Sequence, residues 1–181
     1  QGPFALPDYY FEIKRQQVDA MANVGGVWGE LQEEFAKLSG RRYRGFFEAY
    51  KLDDADYIYI VLGATAGTAK VAIDRLRRQR KRVGLLKLWL FRPFPAREIA
   101  QILKNRRAVA IFDRALSLGS WGPLYAEISA ALNAISPRPV LYNYIYGLGG
   151  RDIRPEQLMG VLQDLESQAD PQVQRFIGLR E

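Results

Sequence analysis

The side chains best placed to do chemistry in this sequence stand where apolar runs give way to glycine. Gly63-Ala-Thr-Ala-Gly-Thr68 follows an apolar run that ends at Leu62 and precedes a helical pattern, a position where backbone N–H groups and a helix dipole favour an anion. It has no Walker lysine and does not match G-x-G-x-x-G. A tight strand-to-helix turn capped by Thr65 or Thr68 explains it as well as a ligand or interface contact does. Asp113-Arg114, followed by Ser117, Gly119, Ser120 and Gly122-Pro123, forms a second such loop. Gly147-Leu-Gly-Gly-Arg-Asp152, with Arg151 and Asp152 at its polar tip, forms a third. For both, turn geometry with an ion pair is the ordinary explanation. Because each follows a predicted strand, the three loops are expected to share one rim of a sheet, where partners bind.

Other constellations point to contact rather than reaction. Leu90-Phe-Arg-Pro-Phe-Pro95 is a rigid aromatic corner suited to packing against another element or subunit. Six cations lie in the eight residues Arg75 to Arg82, where a solvated helix end is the plainer reading and an acidic partner the sharper one. No aromatics interleave with them, so nucleic acid is not the expected partner. The runs Tyr9-Tyr10 and Tyr142-Asn-Tyr-Ile-Tyr146 suit a domain or subunit seam. Glu33-Glu34 and Asp53 to Asp56 read as solvated surface, the latter as the turn into the next strand.

The chain has no Cys and no His, which excludes an iron–sulfur cluster, a usual zinc site, a disulfide and Ser-His or Cys-His catalysis. No catalytic residue and no metal site are expected in this chain alone. Its 181 residues suffice for one full core plus an arm. Hydrophobic residues make up 48% and charged residues 25%, as in a globular protein. No apolar run approaches the roughly 20 residues of a membrane span. A net charge of +6 biases the chain toward anionic partners without naming one. With no signal-peptide pattern from Gln1 onward, the cytoplasm is the expected location. The start at Gln1 rather than Met reads as a piece of something longer.

The elements that must position these residues follow from periodicity. Residues 8–38 read as helical: Asp8 caps after Pro7, Gly25-Gly26 breaks the run, and Val27, Trp28, Leu31, Phe35 and Leu38 share one face before Gly40. From residue 42 onward, short apolar runs alternate with helical ones, the pattern of a parallel sheet with crossover helices. Strands are predicted at 46–51, 57–62, 82–89, 108–112 and 139–144, and helices at 68–78, 95–104, 122–134 and 155–167. The expected architecture is a three-layer α/β/α domain with a mostly parallel five-stranded sheet over residues 42–167. A docked helical arm precedes it over 1–41, and a surface tail follows it over 168–181.

Several segments in order resemble one family. Gly2-Pro-Phe-Ala-Leu-Pro-Asp-Tyr-Tyr-Phe-Glu, Arg42-Tyr43, Glu48-Ala-Tyr-Lys-Leu-Asp-Asp-Ala-Asp and Leu62-Gly-Ala-Thr-Ala-Gly-Thr are similar to the C-terminal half of the alpha subunit of pyruvate:ferredoxin oxidoreductase. So are Val83-Gly-Leu-Leu-Lys-Leu, Phe91-Arg-Pro-Phe-Pro, Phe112-Asp-Arg with Ser117 and Gly122-Pro-Leu, and Gly147-Leu-Gly-Gly-Arg-Asp-Ile. The resemblance implies a transketolase C-terminal-like domain in an enzyme that decarboxylates a 2-oxoacid on thiamine diphosphate with Mg2+, passes electrons through iron–sulfur clusters to ferredoxin, and makes acyl-CoA. The thiamine-activating carboxylate region, a Gly-Asp-Gly motif and the cluster cysteines are absent here. The chain would then be a non-catalytic interface domain within a hetero-oligomer of thiamine-binding and iron–sulfur chains. Gly63, Thr65, Gly67, Thr68, Arg92, Asp113, Arg114, Ser117, Arg151 and Asp152 would line its rim or lie near coenzyme A. Pyruvate is the expected 2-oxoacid, with oxoglutarate, oxalate and branched-chain acids open. A freestanding anion, nucleotide or nucleic-acid binder and a pure oligomerisation module are the competing readings.

Overall fold

Two helices come first in the computed structural model, which describes residues 4–180. Helix α1 spans Pro7–Met21 and α2 spans Val24–Ser39. Pro7 opens α1 because its missing N–H would have no helical partner there. Asp8, expected to cap, lies instead in the first turn after Leu6, where its charge still suits the helix dipole. The break falls at Ala22-Asn23, not at Gly25-Gly26. Those glycines are taken into the first turn of α2, while Asn23 is a natural turn former. Gly40 ends α2 at φ +69°, its N–H bonded to Ala36 O at 2.9 Å. Trp28 and Gln32, one turn apart, both donate to Gly45 O at 2.8 Å and tie the segment after α2 back to it. Open space surrounds the position of a Gly40 Cβ, so Gly40→Ala bears only the left-handed backbone cost, about 1 kcal/mol. Thermal melting followed by circular dichroism should record that small loss.

The compact unit that ends at Gly45 contains both helices, and a second begins at Phe46. The second holds β1 (Phe47–Tyr50), β2 (Tyr57–Leu62), α3 (Thr65–Arg78), β3 (Val83–Leu88), α4 (Ala96–Leu103) and β4 (Ala108–Asp113). It continues through α5 (Pro123–Leu132), β5 (Val140–Tyr146), α6 (Pro155–Glu166) and β6 (Arg175–Ile177). The strands form one sheet in the order β1-β3-β2-β4-β5-β6. Only β1 runs antiparallel to its neighbour; the other pairings are parallel, with Tyr57 beside Val83 and Ala108, and Ala108 beside Val140.

Alternation along the strands divides the apolar residues between two faces. Tyr59, Phe112 and Tyr144 pack with Ala69 and Ile73 of α3 and Leu158 and Leu162 of α6. Ile58, Ile60, Val109 and Ile111 pack with Ile99 and Leu103 of α4 and Leu124 and Ile128 of α5. On the first face α3 presents alanines at 66, 69 and 72, small enough for the helix to approach a layer of large rings. Phe112 is the hub of that layer, 5.2 Å from the Tyr59 ring and 5.4 Å from that of Tyr144. The result is the expected three-layer α/β/α architecture.

The sheet has six strands rather than five. Its sixth, β6, lies in the segment read as a surface tail and pairs in parallel with β5. Three residues are too few to show a period, and the edge of β5 sets the pairing. Arg175 fastens it from within the strand, its guanidinium 5.5 Å from the Tyr142 ring and 3.3 Å from the Asp164 carboxylate. No helix among the described residues is long and apolar enough to cross a membrane.

Candidate functional site at the strand ends

Because β2 to β6 run parallel, the loops that follow them emerge along one edge of the sheet, as the sequence implies. A cavity of about 360 Å³ opens there between the ends of β2, β4 and β5. Gly63, Thr65, Asp113 and Arg114 line it, joined by Phe91, Leu124 and Tyr146. Arg92, Ser117, Arg151 and Asp152 lie in loops on the same edge but outside that lining, and Gly67 and Thr68 belong to α3.

The glycine loop is shorter than its sequence suggests. Gly63 turns the chain at φ +65° and α3 starts at Thr65, three residues earlier than expected. The amides of Ala66 and Gly67 already donate to Gly63 O and Ala64 O, so they are not held open for a phosphate. Thr65 is not a cap: its hydroxyl accepts the Tyr146 O–H at 2.8 Å, which closes one wall of the cavity.

Asp113 does not pair with Arg114. Its side chain turns inward, where the residue is 3% exposed, and accepts the N–H groups of Leu124 at 2.7 Å and Tyr125 at 3.2 Å. These are first-turn amides of α5, so a carboxylate at the end of β4 caps the next helix. Asn143 of β5, 0% exposed, donates to Asp113 Oδ2 at 2.9 Å and accepts from Gly122 N and from Gln174 Nε2. Sequence reasoning missed Asn143, Gln174 and the role of Gly122. A lone Asn inside the apolar run of β5 was the available signal, since a buried amide needs partners. The tyrosines around it, read as seam residues, are core: Tyr142, Tyr144 and Tyr146 are all buried.

Burial pushes the Asp113 carboxyl above its ordinary range by more than its three donors pull it down. The folded chain therefore holds that proton more tightly than the unfolded chain. The associated stability is fully present below the ordinary carboxylate pKa and is lost as pH rises through the raised folded value. Comparison with Asp113→Asn, which cannot titrate, isolates this contribution. The unfolding free-energy difference, unsubstituted minus variant, should fall as pH climbs above about 4. A difference that grows with pH would mean that the donors outweigh burial.

Arg114 points outward. Its Nε donates to Gly147 O at 3.2 Å, and Gly147, at φ +66°, lets the arginine stem lie against the backbone. Arg92 stacks on Phe91, 4.2 Å from the ring centroid, and pairs with Glu127 of α5 at 2.5 Å. Ser117 O accepts Ser120 N in a turn, and Arg151 donates to Gly178 O rather than pairing with Asp152. The basic run ending α3 is largely neutralised at home: Arg75, Arg77, Lys81 and Arg82 pair with Glu156, Asp54, Glu166 and Asp56. Asp54, one of the turn carboxylates, is held below its ordinary range by Arg77. Among the described residues no three His, Cys, Asp or Glu side chains group to hold a metal ion.

The chain is similar along nearly all of its length to subunits of known oxidoreductases. It is 44% identical to the pyruvate synthase subunit PorA of Thermotoga maritima over 99% of this chain and 46% of that subunit. It is 37% identical to the PorA of Methanocaldococcus jannaschii over 100% of this chain and 46% of the relative. With the ketoisovalerate oxidoreductase subunit VorA of Pyrococcus abyssi it shares 34% identity over 91% of this chain and 42% of the relative. The chain thus spans somewhat less than half the length of these relatives. A solved 2-oxoglutarate:ferredoxin oxidoreductase from Magnetococcus marinus, with 2-oxoglutarate, coenzyme A and succinyl-CoA bound, shares the fold. Its TM-score is 0.60 at 20% identity, covering 91% of this chain and 24% of that one. The profile of the family described as pyruvate:ferredoxin oxidoreductase core domain II matches residues 55–158, from the turn before β2 into α6. That match takes in the strand-end cavity and more than half of the sequence, and the chain belongs to the pyruvate:ferredoxin oxidoreductase core domain II family.

Proposed function

We propose that this chain is a supporting, non-catalytic part of a cytoplasmic thiamine-diphosphate-dependent 2-oxoacid:ferredoxin oxidoreductase that takes pyruvate. The observation that carries this reading is the 44% identity to a pyruvate synthase subunit along 99% of the chain. Lower identity to ketoisovalerate oxidoreductase subunits favours pyruvate over a branched-chain acid.

The chemistry of the rim supports a structural role. Asp113 spends its carboxylate on α5 and Asn143, and Tyr146 spends its hydroxyl on Thr65. Neither is left poised as an acid or base. Iron–sulfur clusters do not fit a chain without cysteine. No described acidic trio fits a divalent cation beside a diphosphate. In this reading those groups are held by neighbouring domains or chains, where thiamine diphosphate supplies the carbanion chemistry. This chain's contribution is a rigid edge, its loops fixed by Arg92–Glu127, Arg114–Gly147 and Arg151–Gly178 contacts, against which those neighbours are positioned.

The test is activity of the assembly purified through this chain. Ferredoxin reduction that requires both pyruvate and coenzyme A, in a fraction containing thiamine diphosphate, is the expected result. Reduction driven by a branched-chain 2-oxoacid in preference to pyruvate would correct the substrate. A thiamine-free fraction with no 2-oxoacid dependence would overturn the reading.

A further inference from the structure

The strand-end cavity has walls of one chemistry and a mouth of another. Leu62, Phe91, Phe112, Leu124 and the Tyr146 ring form its walls. The polar groups among them are already satisfied: Asp113 faces the α5 amides and Asn143, and the Tyr146 hydroxyl faces Thr65. An entering group therefore finds apolar surface and few open donors. At the mouth, Arg114 is exposed, and among the described residues its Nε alone is engaged, by Gly147 O. Its terminal guanidinium nitrogens make no hydrogen bond among the described residues. The adjacent carboxylate, Asp113, is turned away into the interior, so no acid on its own strand end competes for that cation.

Apolar side chains are exposed on the loops of the same edge. Leu118 is 90% exposed and Leu116 and Leu148 are also solvent-facing. Leucines exposed on the loops that leave β4 and β5, whose ends border an apolar cavity, suit a protein contact better than an ordinary polar rim does. A phosphate-rich small molecule suits the site poorly, because the Ala66 and Gly67 amides of α3 are bonded to Gly63 and Ala64 and the Leu124 and Tyr125 amides of α5 to Asp113. A second copy of this chain suits it poorly too, since each copy carries a net charge of +6.

We propose that the cavity seats a bulky apolar side chain from a neighbouring domain of the oxidoreductase assembly, and that a carboxylate within two residues of it pairs with Arg114. This rests on the function proposed above. The apolar anchor supplies burial, and the Arg–carboxylate pair at the rim fixes its register.

The assembled enzyme carrying Arg114→Lys offers a direct test, since a lysine amine can be joined to a touching carboxylate by a zero-length carbodiimide. Peptide mass spectrometry should reveal a new pair, absent from the unsubstituted enzyme, linking residue 114 to an Asp or Glu outside residues 1–181 with a bulky apolar residue within two positions. Ala115→Trp, made in the same background at the exposed lip, should cut that yield by about tenfold with circular dichroism unchanged. The proposal is overturned if no new pair forms, if the pair stays within this chain, if the partner carboxylate lacks an apolar neighbour, or if Ala115→Trp leaves the yield intact. A pair of the expected chemistry in a protein that binds neither thiamine nor clusters would uphold the seat and overturn the oxidoreductase reading instead.

Discussion

Gly122→Ala should destabilise the folded domain by about 3 kcal/mol. A Cβ at position 122 would stand 2.1 Å from Asp113 Oδ2 and 2.7 Å from Asp113 Cβ. The aspartate cannot swing aside cheaply, because the Leu124, Tyr125 and Asn143 donors hold it in a buried site. Displacing it uncaps α5 and leaves three buried donors unmatched. A double-mutant cycle separates this mechanism from a general loss of backbone freedom. Asp113→Gly is itself destabilising, but it removes all three side-chain atoms that a Cβ at position 122 would meet, so adding Gly122→Ala to it should cost only about 1 kcal/mol more. Full additivity in urea denaturation would show that the two residues do not oppose each other.

Gly84→Ala is expected to have a comparable effect, about 3 kcal/mol, for a different reason. Gly84 lies within β3, paired on one side with β2 and on the other with β1. A Cβ there would come within 2.6 Å of the Lys51 carbonyl oxygen and of Leu52 Cδ2. The first is main chain and the second belongs to a buried core residue, so neither yields without moving the chain that leaves β1. Gly67→Ala is the control: its Cβ meets nothing within 4 Å in the first turn of α3, and it should be neutral or slightly stabilising. Similar losses at positions 67 and 84 would point to a general intolerance of alanine rather than to the close approach.

Local pattern made the centre of the fold readable. Runs such as Tyr57–Leu62 and Val83–Leu88 are apolar on both faces, and that is possible only between two helix layers. Pro123 and Pro155 stand at the starts of α5 and α6, and Gly40 at the end of α2, because each has a local conformational reason to be there. The failures are where partners are remote. Strand β6 is three residues whose pairing depends on an edge built some 30 residues earlier. Thr65 is engaged by Tyr146, 81 residues away, instead of marking a cap, so the start of α3 was not readable from local pattern. Glu156 and Glu166, which neutralise Arg75 and Lys81, are likewise distant in sequence, so the cation run looked barer than it is.

The site was legible in outline for the same reason. Parallel strands send their loops to one edge, so Gly63, Thr65, Asp113 and Arg114 could be grouped in advance, and the cavity does gather them. Their individual roles could not be read. Whether Asp113 turns out to Arg114 or in to α5 depends on Asn143 and Gly122, which reach it only after β5 and α5 have packed.

Native mass spectrometry of the assembly isolated through this chain, with visible spectra and thiamine analysis on the same fraction, decides whether the chain serves a thiamine- and cluster-bearing oxidoreductase. A large hetero-oligomer with bound thiamine diphosphate and the broad brown absorbance of iron–sulfur clusters is the expected result. This chain by itself should be colourless and cofactor-free. Recovery of the chain alone from its source, or in a complex without thiamine and clusters, would contradict that role.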